Sequence, residues 1–470
     1  MNSLFKFILL TLAFSLTFSC FEDDDDTAIE SSEINDFVWK GMNVFYLYKD
    51  RIPNLANDRF TSDNNYRDFL NDFDSPENLF ESLIHEREIV DRFSWITSNY
   101  IELEQQFSGV TKTTGAEYNF YYAPGSSSDV IGIVRLVQPN SNASSTPLTR
   151  GMIFNKIDGV TLTESNLRSL FSPETYTIHL AAYNTNGTEA PEDDSLTEST
   201  ETIALTKTVY SENPIFKTNV FSVNSENVGY LMYNGFVGDY DAELNTVFGD
   251  FKAQNIEHLI LDLRYNPGGS VNTATALGSM ITGITDEIFA ILKYNSDLES
   301  YNTTYNFEST LRDDTPINSV GLSKVYVITT GSSASASEMV INSLNPQNNF
   351  TVVQIGTKTE GKAQASITIY DSPDFRRQGA NPGHLYALQP LVATTVNKDN
   401  GEVPFGGLIP DIKLPENVSN YGVLGDINEP LLAAALAAIQ SGRFAVDVQG
   451  ISPIMDSNTF KPHSKEMYID

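Results

Sequence analysis

The stretch that decides the fold is "YVITTGSSASASEMVINSL", residues 326–344. It begins as an apolar run typical of a buried strand, continues as a loop of glycine, serine and alanine, and ends in a helical pattern. Such a turn exposes a side chain where the strand ends, and the first turn of the helix offers free backbone N–H groups. A nucleophilic hydroxyl needs donors of this kind close by to stabilise an oxyanion, so the stretch favours a catalytic serine.

Two further stretches show a related pattern. In "LILDLRYNPGGSV", residues 259–271, an apolar strand ends in Gly268 and Gly269, which permit a tight turn and a close backbone approach by a ligand. In "VVQIGTKTEGKAQASITIY", residues 352–370, Lys362 stands between small residues inside or beside a strand. Burial lowers the pKa of a lysine, and only a neutral lysine can take a proton from serine. Each stretch is weak evidence by itself.

The chain as a whole predicts a multidomain α/β protein. Aromatic-rich helical patterns fill residues 34–106, and short β-branched strands separated by turns fill residues 107–210. Apolar strands then alternate with helices over residues 215–440, which favours a mostly parallel sheet with crossover helices. Residues 441–470 form a C-terminal tail whose final part has no readable periodicity.

Together, the three stretches resemble the C-terminal-processing (tail-specific) serine peptidases and their lipoprotein relatives in the Bacteroidetes. "L-x-L-R-x-N-P-G-G", "S-A-S-A-S-E" and a downstream "G-K" occur in the family's order, and the resemblance covers roughly residues 105–440. It implies an α/β catalytic domain of the ClpP/crotonase-like type. It also implies a serine endopeptidase that cleaves exported proteins or peptides without a cofactor.

The resemblance assigns roles to individual residues. Ser335 matches the family's nucleophile and Lys362 its general base. The oxyanion hole would use the backbone N–H of Ala336 and that of Gly268 or Gly269.

One departure concerns the residue that orients the base. Family members carry a glutamine four positions after the lysine, where this chain has Ser366, and the nearest glutamine is Gln364. Strand alternation places both side chains on the same face as Lys362, so either could serve, and the register favours Ser366.

Residues 107–210 resemble a PDZ domain of the bacterial protease type. The positions that carry this resemblance are Leu148, Gly151, Ile157, Asp158 and Gly159. A PDZ domain adds an extended peptide to its sheet edge and binds the terminal carboxylate in a nest of N–H groups, expected here near residues 115–120. The resemblance therefore implies that substrates are chosen through their C-terminus.

The start of the chain predicts export and lipidation. Residues 1–19 combine Lys6 with a short apolar core, as in a signal peptide, and are followed by Cys20, the sole cysteine. The acidic tether of residues 20–33 resembles the surface-export signal of Bacteroidetes lipoproteins, so we expect a lipid anchor at Cys20 on the periplasmic or surface face of the outer membrane. A net charge of −32 argues against nucleic acid as a partner.

Two alternatives stay open. One is a catalytically inactive peptide-binding surface lipoprotein of the same fold, favoured by the missing glutamine. The other is a hydrolase of non-peptide esters or of glycan. None of the five histidines stands beside a glycine-flanked serine, and no H-E-x-x-H or paired-cysteine spacing predicts a metal site.

Overall fold

A computed structural model describes residues 31–188, 193–442, 453–460 and 465–469. The predicted signal peptide, Cys20 and almost all of the acidic tether lie outside the described residues. The described part combines helical, antiparallel β and α/β regions, which confirms the predicted fold class. None of its helices has the length and apolar character needed to cross a bilayer.

The N-terminal region is mainly helical. Its elements are α1 (Ser31–Phe45), α2 (Asp63–Asn71), α3 (Pro76–Ser82), β1 (Trp95–Thr97) and α4 (Tyr100–Phe107). Helix α3 begins at Pro76, because the Ser75 hydroxyl accepts the N–H of Asn78 at 3.2 Å and proline fits the first turn of a helix. Strand β1, which the helical pattern missed, pairs with Ala387–Gln389 and joins this region to the α/β part of the chain.

The second region is an antiparallel sheet that packs against one short helix. Its elements are β2 (Val110–Thr113), β3 (Ala116–Tyr122), β4 (Val130–Val137), β5 (Ile153–Ile157), β6 (Val160–Thr161), α5 (Leu167–Phe171), β7 (Thr175–Asn184), β8 (Ser195–Thr206) and β9 (Thr208–Ser211). The strand order β3-β4-β5-β7-β8 follows the chain, as short connections between β-branched strands favour. Phe120, Phe154 and Phe171 contribute to its core.

The third region is the α/β part. Its elements are β10 (Ile215–Val223), β11 (Glu226–Tyr233), α6 (Asp241–Ala253), β12 (His258–Asp262), β13 (Gly269–Ser270), α7 (Val271–Thr282), β14 (Ile288–Tyr294), β15 (Thr303–Asn306), β16 (Lys324–Thr329), α8 (Ala336–Leu344), β17 (Thr351–Gly356), β18 (Gln364–Ser366), β19 (Ile369–Tyr370), β20 (Ala387–Gln389), β21 (Leu391–Val396), β22 (Ile412–Lys413) and α9 (Pro430–Ser441).

The central sheet has the order β10-β11-β12-β16-β17-β22, and from β11 to β22 all neighbours are parallel. Successive residues of a strand point to opposite faces, so Leu261 packs in the core with α6, α7 and α8, while Ile260 packs in the core with α9. Both faces are covered by helices, which explains the continuous apolar runs. The predicted mostly parallel sheet is thereby confirmed.

A second six-stranded sheet has the order β13-β24-β18-β21-β14-β15. Its strand β24 (Met467–Tyr468) and the strand β23 (Met455–Asp456) both belong to the predicted tail. We call residues 453–460 the groove segment and residues 465–469 the site segment. The groove segment extends the β3 edge of the antiparallel sheet, and the site segment lies between β13 and β18.

Candidate active site

Three neighbouring strands bring the three sequence stretches together. Strands β12, β16 and β17 are adjacent and parallel, so their carboxyl ends lie at one edge of the sheet. The glycine turn follows β12, the serine loop follows β16 and the loop that carries Lys362 follows β17. Open parallel sheets bind ligands at this edge, so the topology alone places the candidate residues at one site.

Ser335 lies at the turn from loop to helix, directly before α8. Its backbone has φ +64° and ψ −117°, which is a sparsely populated conformation for a residue with a side chain. Strained residues of this kind concentrate at active sites. Its Oγ is buried and has no hydrogen-bond partner within the described residues. Ala336 is the first residue of α8, so its N–H lacks a partner inside the helix.

The carboxylate of Glu338 joins the serine loop to the lysine loop. Its Oε2 accepts the N–H of Ser335 at 2.8 Å and the N–H of Lys362 at 2.9 Å. Its Oε1 accepts the N–H of Gly361 at 2.7 Å and the hydroxyl of Thr359. Burial raises the pKa of Glu338. The sequence places Glu338 beside the serine but gives it no role, and the structure shows that it fixes the backbone of both candidate residues.

Lys362 is completely buried. Its Nζ donates to the carbonyl oxygen of Lys465 at 2.6 Å and to Oε2 of Glu466 at 3.2 Å. Burial lowers the pKa of Lys362, against the opposing charges of Glu466 and Asp91. The amine therefore has the desolvation that a general base needs, but its hydrogen bonds go to the site segment and not to Ser335 Oγ.

The glycine turn touches the serine. A Cβ added to Gly268 would lie 2.6 Å from Cβ of Ser335. The N–H of Gly268 donates to Oδ1 of Asn266, whereas the N–H of Gly269 donates to the carbonyl oxygen of Glu466 at 2.6 Å. Of the two glycine donors that the sequence left open, Gly269 is the one that binds a peptide carbonyl.

The two candidates for orienting the lysine differ in their contacts. Oγ of Ser366 donates to Oε2 of Glu466 at 2.9 Å, the same oxygen that binds Lys362. Ser366 also accepts a hydrogen bond from the side-chain amide of Gln389 at 2.9 Å. Gln364 is partly exposed, and the structure records no hydrogen bond of its side chain within the described residues. The structure records no hydrogen bond from Lys362 Nζ to either side chain, and Ser366 meets the amine only through Glu466, so the choice between them stays a prediction.

Sequence reasoning missed several residues at this site. Glu466 is buried and also accepts the indole N–H of Trp95 at 2.8 Å. Asp91 is buried and accepts the hydroxyl of Tyr46 at 2.8 Å. These residues and Gln389 come from segments without a glycine turn or a repeated motif, so no signal in the sequence could have found them.

Histidine chemistry does not fit the observed contacts. His258 binds Glu226 at 3.0 Å and His384 binds Asp371 at 3.0 Å. Because Ser335 Oγ has no hydrogen-bond partner among the described residues, no described histidine activates it. In the same part of the chain, no three His, Cys, Asp or Glu side chains come close enough to hold a metal ion.

A cleft of about 1080 Å³ is lined by Gly268, Gly269 and Glu466, the neighbours of Ser335 and Lys362. It extends from Gly269 and Glu466 towards Tyr118 of the antiparallel region and Phe460 of the groove segment. The arrangement provides a hydroxyl, two backbone donors and a desolvated amine next to a cleft that an extended chain could enter. These are the groups that acyl transfer requires.

Comparison with known proteins identifies the family. Residues 227–414 match the model of Peptidase family S41, and residues 33–95 match that of the Peptidase S41 N-terminal domain. A carboxyl-terminal-processing protease of Picosynechococcus sp. is 25% identical over 240 residues, which are 51% of this chain and 51% of the relative. The chain thus spans about half the length of this curated relative.

Solved structures give the same result. An S41 protease structure from Bacteroides fragilis has a TM-score of 0.67 at 26% identity and covers 86% of this chain and 97% of its own. The photosystem II D1 C-terminal processing protease shares the fold, with a TM-score of 0.51 at 16% identity over 87% of this chain and 99% of its own. The two matched stretches make up just over half of the sequence. The chain belongs to peptidase family S41.

Proposed function

We propose that the chain is a serine endopeptidase of the C-terminal-processing type, with Ser335 as nucleophile and Lys362 as general base. One observation carries the proposal. The carbonyl oxygen of Glu466 lies 2.6 Å from the N–H of Gly269, and Lys362 Nζ lies 2.6 Å from the preceding carbonyl. A polypeptide backbone therefore fits between the candidate base and the candidate oxyanion donor, as a peptide substrate would have to.

The chemistry follows from these groups. Neutral Lys362 takes the proton of Ser335 Oγ as that oxygen attacks the scissile carbonyl carbon. The N–H groups of Gly269 and Ala336 stabilise the oxyanion, and one such donor lowers the barrier by ~3 kcal/mol. Lys362 returns the proton to the leaving amine, and a water molecule then hydrolyses the acyl-enzyme with the same lysine as base. The cycle requires Lys362 to exchange its bonds to residues 465–469 for one to Ser335.

Active-site labelling tests the proposal. We expect a fluorophosphonate to modify the full chain at Ser335, located by mass spectrometry, because a nucleophile activated by a base displaces fluoride. Ser335→Ala should lose the label, and Ser343→Ala, in the same buried helix, should keep it. Absence of label from every chain, together with absence of polypeptide cleavage, would refute the peptidase proposal.

A second candidate is a peptide-binding protein of the same fold without catalysis. The observation that favours it is the missing hydrogen bond between Lys362 and Ser335, since Lys362 binds a carboxylate instead. This candidate predicts that the chain does not react with the fluorophosphonate, and that it binds extended peptides with the same affinity before and after Ser335→Ala. Cleavage of small esters but of no polypeptide would favour the remaining hydrolase alternative.

The antiparallel region is proposed to act as a PDZ-like module that chooses substrates through an extended C-terminal segment. Support comes from its β3 edge, which accepts β23 as an added antiparallel strand with Met455 opposite Phe120. A peptide that adds to this edge would lie beside the cleft. Fluorescence anisotropy with a peptide ending in a free carboxylate, and with its amidated form, tests the C-terminal preference. Equal affinities would contradict it.

We further propose that Cys20 carries the lipid anchor and that the protein works at the outer membrane, on its periplasmic or surface face. Support comes from the order of signal peptide, cysteine and acidic tether in residues 1–33. Cys20→Ala should move the protein from the membrane fraction to the soluble fraction. Protease added to intact cells distinguishes the two faces, because it degrades the protein on the surface face and leaves it intact on the periplasmic face. A membrane fraction that is unchanged by Cys20→Ala would contradict the anchor.

A further inference from the structure

We propose that the groove segment and the site segment are an intramolecular inhibitor, which occupies the substrate path and keeps the enzyme latent. The inference rests on the proposed peptidase function. It assigns a role to the two parts of the chain for which the sequence predicts none. Three sets of contacts carry it, at the β3 edge, at the oxyanion donors and at the base.

The groove segment is bound as an extended peptide would be. Its strand β23 pairs antiparallel with β3, with Met455 opposite Phe120. The ring centroid of Phe460 lies 5.5 Å from that of Phe120 and 5.5 Å from that of Phe171 in α5, on which it stacks. The guanidinium of Arg168 in α5 donates to the carbonyl of Thr459 at 2.8 Å. The segment thus contacts the sheet edge and the helix of the proposed peptide-binding module together.

The site segment continues into the candidate active site. Its strand β24 lies between β13 and β18 and runs parallel to both. The carbonyl oxygen of Glu466 accepts a hydrogen bond from the N–H of Gly269. The N–H of Ile469 donates to the backbone carbonyl oxygen of Ser366 at 3.0 Å. A Cβ on Gly268 would lie 2.4 Å from the same carbonyl oxygen and 2.6 Å from Ser335 Cβ, so this carbonyl lies beside the nucleophile.

The carboxylate of Glu466 also binds the amine of Lys362, the proposed base. Lys362 Nζ binds Glu466 at 3.2 Å and the Lys465 carbonyl at 2.6 Å, and Ser335 Oγ has no hydrogen-bond partner in the part of the chain that the structure describes. A buried carboxylate stabilises the charged form of an adjacent amine, and a charged amine cannot accept the serine proton. With the site segment in place, Ser335 and Lys362 are both 0% exposed, so no second polypeptide can reach them.

The substrate class follows from what must replace the segments. A competing chain has to be extended, because it must pair with β3 at one end and lie between β13 and β18 at the other. It must also lack an acidic side chain at the position of Glu466, because a carboxylate there binds Lys362. The geometry points to unfolded polypeptides that enter parallel to β13 and displace the site segment before cleavage.

Two variants of the full chain test the inference. Glu466→Ala removes the carboxylate from Lys362, and Ile469→Pro removes the N–H that binds Ser366. The measurement is the second-order rate of fluorophosphonate labelling at Ser335, with thermal unfolding recorded for each chain. We expect both variants to label at least tenfold faster than the unmodified chain. Glu257→Ala, an exposed acidic residue on a surface turn, is the matched control and should label at the unmodified rate.

Each result of the labelling experiment either supports or overturns the proposal of an inhibitory segment. Faster labelling of a folded variant supports an inhibitory segment. An unchanged or slower rate in both variants, while the unmodified chain is labelled, overturns it and shows that the site segment is a structural strand of the second sheet. Labelling that is absent from all chains contradicts the proposed peptidase function instead, so the two failures are distinguishable.

Discussion

Ser335 and the glycine turn are in direct contact, and this contact limits which residues the turn can contain. Gly268 has φ +113°, and a Cβ there would approach Ser335 and the Glu466 carbonyl. We expect Gly268→Ala to destabilise the fold by about 1–3 kcal/mol through backbone strain. It should also reduce the labelling rate of Ser335 at least tenfold, because the methyl group displaces the serine.

Gly187→Ala separates strain from contact. Gly187 also has a positive φ of +71° but no neighbour within 4 Å, so it should show the strain without the loss of labelling. Urea unfolding and labelling kinetics measure the two effects. Equal labelling rates for Gly268→Ala and the unmodified chain would contradict the placement of the turn against the nucleophile.

The pKa of Lys362 determines the pH dependence of activity. Burial lowers this pKa below the ordinary lysine value, and the neutral amine is the active form, so the cleavage rate should rise with pH through that pKa. Arginine stays protonated at every accessible pH and so cannot act as a base. We therefore expect Lys362→Arg to reduce the cleavage rate about 10²-fold or more and to abolish its rise with pH. A rate that peaks in acid, or a variant with unchanged activity, would contradict lysine as the base.

At the scale of elements, Glu338 in the first turn of α8 holds two loops together. Glu338→Ala would leave buried N–H groups of Ser335, Gly361 and Lys362 without an acceptor. Each unsatisfied buried group costs about 1–3 kcal/mol, so we expect the free energy of unfolding to fall by roughly 3 kcal/mol or more. Urea denaturation measures this, with exposed Glu257→Ala as control. A loss under ~1 kcal/mol would show that the two loops do not depend on this carboxylate.

Sequence patterns predicted the elements that are local. The strand, small-residue turn and helix around Ser335 appear in consecutive residues, and the N-caps Ser75 and Glu429 each stand directly before a proline that begins a helix. Parallel strand order then brings the three motifs to one edge without further information. The N-terminal strand β1 was missed, because its three residues pair with β20 almost 300 positions away and show no alternation of their own.

The rest of the site could not be predicted for the same reason. Glu466 meets Lys362, Gln389 meets Ser366 and Trp95 meets Glu466 only through tertiary packing. The site segment pairs with backbone groups of β13 and β18, and backbone pairing leaves little trace in the identity of side chains. The choice of Ser366 over Gln364 depended on register alone and stays a prediction, because Ser366 Oγ contacts Glu466 and not Lys362 Nζ.

At the scale of the whole molecule, Arg135 joins three parts of the chain. Fully buried, it binds Glu117 at 2.9 Å within the antiparallel region and Ser332 of the serine loop at 2.8 Å. It also lies 3.6 Å from Asp456 of the groove segment. Arg135→Ala leaves these carboxylates buried without their cation, which typically costs about 3–5 kcal/mol.

We therefore expect Arg135→Ala to lower the thermal midpoint of the whole molecule and not of one region alone. Arg51→Ala, at an exposed position of the N-terminal region, is the control and should stay within about 0.5 kcal/mol of the unmodified chain. Calorimetry measures both. A separate early transition that leaves Ser335 labelling intact would show that the regions unfold independently.

The most direct test of the account is cleavage of an unfolded polypeptide by the full chain carrying Glu466→Ala, with mass spectrometry of the new chain ends. We predict cleavage by this chain and none when Ser335→Ala or Lys362→Met is added to it. Cleavage that survives either second substitution would contradict the assignment of Ser335 as nucleophile and Lys362 as base.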